Sequence, residues 1–158
     1  MEHQIHIWVD GDACPKAVKE ILFKAAVKRS VQLTLVANQY IALPKSSFLT
    51  LVQVAAGFDI ADNYIADNVE IGDLVITADI PLAAAVVAKG AFAIEPRGRE
   101  LNEETIAVRL ATRNLMEELR TNGQISGGPS TMSSQDSQAF ANTFDRILTR
   151  RIKEQPNH

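Results

Sequence analysis

The first apolar run of the chain ends in two carboxylates, and this pattern limits the possible folds more than any other. The run from Ile5 to Val9 is followed at once by Asp10-Gly11-Asp12, with Pro15 shortly after. Because proline suits the first turn of a helix, the pattern predicts a strand, a tight turn and a helix. Ligands of α/β proteins bind at the carboxyl ends of strands, where paired acids need a counter-charge. We therefore expect an acidic site at one edge of a parallel sheet.

Strands and helices are predicted to alternate over the first hundred residues. Further strands are expected at 31–36, 74–77 and 92–94, the last of these closing the sheet. Residues 48–54 fit either a strand or a short helix followed by a strand. Helices are expected from Pro15, over 59–69, and from Pro81 to Gly90. This order predicts an α/β fold with a mostly parallel sheet covered by helices on both faces.

Only helices are predicted after Arg97-Gly98-Arg99. Asn102 can cap a helix that runs to about residue 120 and carries two glutamates in its first turn, where the helix dipole favours them. A loop containing Gly127-Gly128-Pro129 follows. Ser133 or Ser134 is then expected to cap a last helix that ends near residue 153.

Composition narrows the classes of protein to consider. A chain of 158 residues that is 46% hydrophobic suits one domain, expected over residues 1–154, with a frayed tail at 155–158. The net charge of -3 gives no overall nucleic-acid footprint, so any basic patch must be local. The N-terminus lacks signal-peptide features, no apolar stretch could span a membrane, and Cys14 is the single cysteine. We expect a cytoplasmic protein without membrane contact; its oligomeric state is left open.

Acidic residues accumulate where basic ones are absent. The segment from Ser46 to Ala88 has six Asp or Glu and no Lys or Arg. Asp10 and Asp79 each end a predicted strand before a proline-started helix, and Asp62 lies on the helix between them. If the two strands are neighbours, these carboxylates meet at one edge of the sheet. Oxygen ligands of this kind suit Mg²⁺ or Mn²⁺, with Asp12 and Asp59 as further candidates.

Simpler roles compete with metal binding for several of these acids. Aspartate after a strand commonly caps a helix, and Asp12 is well placed to cap the helix begun by Pro15. Asp67, Glu70 and Asp73 are expected on the surface. Cys14 lies near a helix N-terminus but has no basic partner, so a structural role is favoured over a nucleophilic one.

Basic residues near the predicted strand ends are candidates for phosphate contact. Lys16 and Lys19 lie in the first turns after the acidic strand end, and Arg97 and Arg99 flank a glycine after the last predicted strand. Arg109, Arg113 and Arg120 form a helical stripe, but glutamates interleave with it, which is typical of a solvated face.

The chain contains long ordered strings that are specific enough for comparison with families: Trp8 to Pro15, Gly57 to Ile65, Asp73 to Ala83 and Pro96-Arg97-Gly98. Together these strings resemble the YaiI/YqxD family of uncharacterised bacterial proteins, and Gly127-Gly128-Pro129, Asp136 and Phe140 extend the match. The core of the family is similar to the PIN-like nuclease fold, a three-layer α/β architecture. In that fold, acids at strand ends hold divalent cations for phosphodiester cleavage.

The resemblance implies specific roles. Asp10 would match the acid that ends the first strand, Asp62 the acid on the central helix and Asp79 the acid of the Thr-x-Asp strand end. These three would be catalytic in a Mg²⁺- or Mn²⁺-dependent nuclease acting on RNA, with Asp12 and Asp59 as auxiliary ligands. The same resemblance allows a domain that binds metal or RNA without turnover.

Two observations keep the alternatives to catalysis open. Pro81 and Leu82 stand where many PIN nucleases have a further acid, which favours a weakened or non-catalytic site. Separately, a strand ending in Asp-x-Asp resembles the first motif of haloacid-dehalogenase-type phosphatases, with Asp10 as nucleophile and Asp12 as acid. Cys14 stands where that family usually has threonine.

Overall fold

A computed structural model of the chain describes residues 4–57, 59–121 and 132–154. The strands are β1 (His6–Asp10), β2 (Gln32–Ala37), β3 (Leu49–Gln53), β4 (Leu74–Ile76), β5 (Phe92–Ile94) and β6 (Glu100–Leu101). The helices are α1 (Lys16–Arg29), α2 (Ile60–Asn68), α3 (Ile80–Ala88), α4 (Glu103–Thr121) and α5 (Ser134–Glu154). Strands and helices alternate up to β5 as the sequence predicts, except between β2 and β3, where residues 38–48 contain no helix. Residues 48–54 therefore hold a strand without a preceding short helix.

The strands form one sheet in the order β3-β2-β1-β4-β5-β6. Neighbours from β3 to β5 are parallel, and β6 is antiparallel to β5. In the register of the central pair, Ile7 lies opposite Leu74 and Val9 opposite Ile76. The strands that lead to Asp10 and Asp79 are therefore neighbours, and the predicted mostly parallel α/β sheet is confirmed.

Helices cover both faces of the sheet, because side chains along a strand alternate between its faces. On β1, Ile7 and Val9 pack with buried residues of α1 and α5, including Phe140. Trp8 packs on the opposite face with residues of α2, α3 and α4. The result is three layers, with α1 and α5 on one side of the sheet and the other three helices on the other.

The sequence does not predict β6, and 92–94 is therefore not the last strand. Two residues are too few to show strand periodicity. The turn before β6 depends on Gly98, which has a φ of 98°. A Cβ there would lie 2.6 Å from the carbonyl carbon of Ala139 in α5. Glycine thus permits both the turn and the close approach of α5, where the Thr143 hydroxyl donates to the Gly98 carbonyl at 2.6 Å.

The prediction that Asp73 lies on the surface is wrong. Its side chain is fully buried at the amino end of β4. It accepts hydrogen bonds from the backbone N–H groups of His6 and Glu70 at 3.1 and 2.9 Å, and from the Trp8 indole at 3.0 Å. Three donors offset the loss of water around the carboxylate, so Asp73 joins β1 to the turn before β4.

Several predictions concern residues outside the described ranges. The Gly127-Gly128-Pro129 loop and the tail at 155–158 are among them. The domain boundaries at 1 and 154 stay a prediction. None of the described helices combines the length and apolar composition that a membrane-spanning helix needs.

Candidate functional site

Three acids converge at the carboxyl edge of the sheet. Asp10 is the last residue of β1, Asp79 caps α3 by accepting from Leu82 N–H at 2.8 Å, and Asp62 lies in the first turn of α2. Buried Thr77 joins the two strand ends. Its hydroxyl donates to Asp10 Oδ2 at 3.3 Å and accepts from the Asp79 N–H at 3.0 Å. Both strand-end acids are therefore held in place by one side chain.

Asp62 interacts with three other acids. Its carboxyl pKa is raised to about 7, first by burial, then by the charges of Asp79 and Asp10, by a hydrogen bond shared with Asp79 and by the charge of Asp59. A carboxyl with this pKa is about half protonated near neutral pH, so Asp62 is both a proton donor and a proton acceptor there.

Asp10 is more buried than Asp62. Burial raises the pKa of its carboxyl, the hydrogen bond from Thr77 lowers it, and the charges of Asp79 and Asp12 raise it. Together these effects raise the pKa of Asp10, so its carboxyl loses a proton less readily than that of a free aspartate. The three predicted catalytic acids thus form one electrostatic unit.

The structure corrects the role of Asp12. Pro15 is the N-cap of α1, and no side chain caps this helix. Asp12 instead accepts from the backbone N–H of Asn38 at 2.7 Å, which ties the turn after β1 to the end of β2. Asp12 also lines a cavity of about 170 Å³ together with Asp10, Asp59 and Asp62.

Asn38 lines the same cavity, and the sequence-based site did not include it. Its Oδ1 atom is buried and has no hydrogen-bond partner among the described residues. The signal that could have identified Asn38 is the one that identified Asp10, a polar residue directly after a buried strand. An unpartnered oxygen beside three or four carboxylates is a place for a cation or an N–H donor.

The donor types suit a hard divalent cation. Asp10, Asp62 and Asp79 form no ion pair with any Lys or Arg among the described residues. Within the same residues, however, no three His, Cys, Asp or Glu side chains form a group that could hold a metal ion by themselves. Since Mg²⁺ keeps several waters and takes other ligands from substrate phosphate, a few carboxylates at this edge fit its requirements.

The predicted phosphate-binding residues differ in their surroundings. Lys16 and Arg99 are exposed, and Lys19 is half-buried. Arg97 is ion-paired with Asp136 at 3.1 Å, so it is positioned by α5. The stripe on α4 is not a purely solvated face, because Arg109 forms an ion pair with buried Glu95. The side chains of Arg113 and Arg120 lie outside what the structure describes.

Cys14 is buried beside this edge, and its surroundings disfavour a nucleophilic role. Burial raises the pKa of its thiol to about 12, the Lys19 charge lowers it and the Asp10 charge raises it. The thiolate is the reactive form of cysteine, and it is not populated at neutral pH. Cys14 packs in the core on the α1 side of the sheet, in agreement with the predicted structural role.

Comparison with known proteins identifies relatives along almost the whole chain. The sequence model of the YaiI/YqxD family, which is described as uncharacterised, matches residues 8–150. A UPF0178 protein of Maridesulfovibrio salexigens is 57% identical over 94% of this chain and 98% of its own length. A UPF0178 protein of Cellvibrio japonicus is 56% identical over 93% of this chain and 98% of its own. No solved structure matches the chain significantly.

Proposed function

Because the chain belongs to the YaiI/YqxD family, which is described as uncharacterised, we propose its function from the site itself: a Mg²⁺- or Mn²⁺-dependent nuclease that cleaves RNA. One observation carries the proposal. Asp10, Asp62 and Asp79 face one another at the carboxyl edge of the sheet, and burial together with the neighbouring negative charges raises the carboxyl pKa values of Asp10 and Asp62. Perturbed acids gathered in a cleft are typical of functional sites.

The choice of reaction follows from what such acids can do. A divalent cation bound there supplies Lewis-acid polarisation of a phosphodiester and a water nucleophile near neutral pH. Thr77 fixes the carboxylate of Asp10 and the backbone of Asp79, so the two strand-end acids are preorganised. The carboxyl of Asp62, with its pKa raised to about 7, can accept or release a proton at neutral pH.

The choice of RNA rests on the resemblance of the family core to PIN-like nucleases, and it is a fold-level analogy. The phosphate-binding role of Lys16, Lys19, Arg97 and Arg99 belongs to the same proposal. Of these, Arg97 has the best-defined position, since Asp136 holds its guanidinium.

Binding of metal or RNA without turnover is the second candidate. Its RNA-binding form is favoured by the spacing of the donors, since no three acidic, His or Cys side chains of the described ranges form a metal-holding group. The phosphatase alternative gains no support. Asp12, which would be the general acid of a phosphatase, accepts a hydrogen bond from the Asn38 N–H. Among the described residues, no lysine forms an ion pair with Asp10.

Cleavage of a short single-stranded RNA with Mn²⁺ tests the proposal. We expect Asp10→Asn and Asp62→Asn to lower the rate at least about a hundredfold. Asp67→Asn is the matched control, because Asp67 is an exposed acid on the same helix as Asp62. Equal cleavage by wild type and Asp10→Asn would reveal a contaminant and overturn the proposal. RNA binding that persists in both variants without cleavage in any of them would favour the binding module.

A further inference from the structure

A second cavity lies at the same edge of the sheet, with a different chemical character. Its volume is about 480 Å³, and it is bounded by the loops after β1, β4 and β5 and by α4. Its polar side chains are one carboxylate and two guanidinium groups, from Glu95, Arg97 and Arg109. Apolar walls with a few fixed polar groups are typical of small-molecule sites of this size.

The second cavity adjoins the acidic site. Ala13 and Ala78 line it, and these alanines are the direct neighbours of Asp12 and Asp79 in the chain. A ligand held in this cavity therefore lies beside the acids without contacting them. Such a position suits a part of the substrate that is bound but does not react.

Arg109 presents hydrogen-bond donors at the wall of the cavity. Its Nη2 donates to Glu95 Oε1, and the Glu95 side chain is only 9% exposed, so the ion pair is held in a fixed place. The Nε of Arg109 is buried and has no hydrogen-bond partner within residues 4–57, 59–121 and 132–154. A guanidinium has five N–H donors, and one carboxylate oxygen satisfies few of them. The remaining donors favour an anion.

Arg97 adds a second positioned cation. Asp136 accepts from its Nη1 at 3.1 Å, and Asp136 is itself fixed by reciprocal hydrogen bonds with Ser133 at the start of α5. Two guanidinium groups held by carboxylates at one cavity provide planar, bidentate recognition of phosphate.

The rest of the wall is apolar and includes Pro15, Pro96 and Met132. A phosphate alone gains nothing from such a surface, whereas a nucleoside can bury its base there. We propose that the second cavity binds one nucleotide unit next to the scissile bond, with its phosphate at Arg97 and Arg109 and its base on the apolar wall. The choice of a nucleotide rests on the proposed nuclease function, and the subsite is separate from the acids.

Isothermal titration calorimetry of the full chain with adenosine monophosphate, in EDTA, tests the subsite without any need for cleavage. We expect adenosine monophosphate to bind at least about tenfold more tightly than adenosine or inorganic phosphate. Arg109→Lys keeps the charge but loses the planar fork, and should weaken binding about tenfold. Ala13→Leu fills the cavity from an exposed loop position and should weaken binding similarly with both guanidinium groups intact.

Arg146→Ala is the matched control, because Arg146 is an exposed arginine of α5 that does not line the cavity. If Arg109→Lys unfolds, as circular dichroism would show, Ala13→Leu decides the result. Undetectable binding of the nucleotide, equal binding of phosphate, or an equal loss in Arg146→Ala would each overturn the subsite. Binding that is retained by a protein unable to cleave RNA would support the subsite and overturn only the nuclease.

Discussion

The two ends of the sheet both hold aspartates, but in opposite surroundings. At the amino end, Asp73 is fully buried and accepts three hydrogen bonds, from two backbone N–H groups and the Trp8 indole. At the carboxyl end, Asp62 faces Asp79 and Asp10, and burial together with the charges of these acids raises its pKa. N–H donors around a buried carboxylate stabilise its charge, whereas neighbouring carboxylates repel it. The groups that surround each acid therefore distinguish the two ends of the sheet.

The largest expected effect is at the amino end. Asp73→Ala removes the acceptor of three N–H donors, of which the Trp8 indole is buried and the two backbone groups are partly buried. It should lower the free energy of unfolding by about 3 kcal/mol or more. Asp73→Asn keeps one acceptor oxygen and should cost less. Urea unfolding measures both values. A loss below about 1 kcal/mol in Asp73→Ala would mean that water replaces the carboxylate, and the contrast between the two ends would weaken.

Mn²⁺ should stabilise the protein through the carboxyl end alone. A cation that binds only the folded state, at a free concentration a hundred times its Kd, raises the free energy of unfolding by about 2.7 kcal/mol. Thermal unfolding with and without Mn²⁺ measures this gain, which should be absent in an Asp10→Asn, Asp62→Asn double variant and unchanged in Asp67→Asn. A gain that persists in the double variant would place the cation elsewhere.

The affinity for Mn²⁺ should depend on pH near neutrality. Because Asp62 has a pKa of about 7 without a cation, it must lose a proton when the cation binds. Below that pH the affinity should fall by up to about tenfold, or roughly 1.4 kcal/mol, for each pH unit. Calorimetry in buffers of different ionisation enthalpy detects the released proton. A Mn²⁺ affinity that stays constant between about pH 5 and about pH 8 would contradict a protonated acid at the site.

Thr77 connects the acids to the sheet, and its removal should have a smaller effect. Thr77→Val removes the hydroxyl that donates to Asp10 and accepts from the Asp79 N–H. We expect a loss of about 1 kcal/mol in stability, and a higher pKa for Asp10 because its stabilising hydrogen bond is gone. Chemical shifts of the Asp10 carboxyl carbon, followed by NMR as the pH is raised, report that pKa. Thr77→Ser, which keeps the hydroxyl, is the control.

The smallest effect is expected at Asp62, where a substitution should raise the free energy of unfolding, whereas Asp73→Ala should lower it. The pKa of Asp62 is raised in the folded state, so its charged form is less stable in the folded protein than in the unfolded chain. The free energy of unfolding of the wild type should therefore fall as the pH rises from about 4 to about 7. In EDTA, Asp62→Asn should therefore be more stable than wild type at pH 8, by about 1 kcal/mol or less after solvent screening, and equal near pH 4. Destabilisation at pH 8 would show that Asp62 has a structural role.

The sequence predicted the carboxyl end better than the amino end. Asp10 and Asp79 follow apolar strands, and parallel strands end at one edge, so their placement follows from local pattern. Asp73 flanks the same strand as Asp79, yet its donors His6 and Trp8 lie 67 and 65 residues away in the chain. Nothing local marks such contacts. The sequence also could not show that β1 and β4 are neighbours, and the pairing of the two strands in the folded chain establishes this.

Side chains that lie between elements were the hardest to interpret. Arg109 has the spacing of a solvated helix stripe, but its partner Glu95 comes from the end of β5. Asn38 carries no charge, so a search for acids passed over it although it lies in the same kind of position as Asp10. Helix caps were easier, because their partners are near in sequence: Asn102 accepts from the Thr105 N–H and Ser133 from that of Asp136, as predicted.

The position of α5 in the chain has a consequence for synthesis on the ribosome. Phe140, Phe144, Ile147 and Leu148 of this helix are buried against the α1 face of the sheet. That face cannot close until residues 134–154 have emerged, about sixty residues after the end of β5. At roughly 5–20 residues per second, the apolar face stays open for several seconds. During that interval the nascent chain exposes an apolar surface to which molecular chaperones can bind.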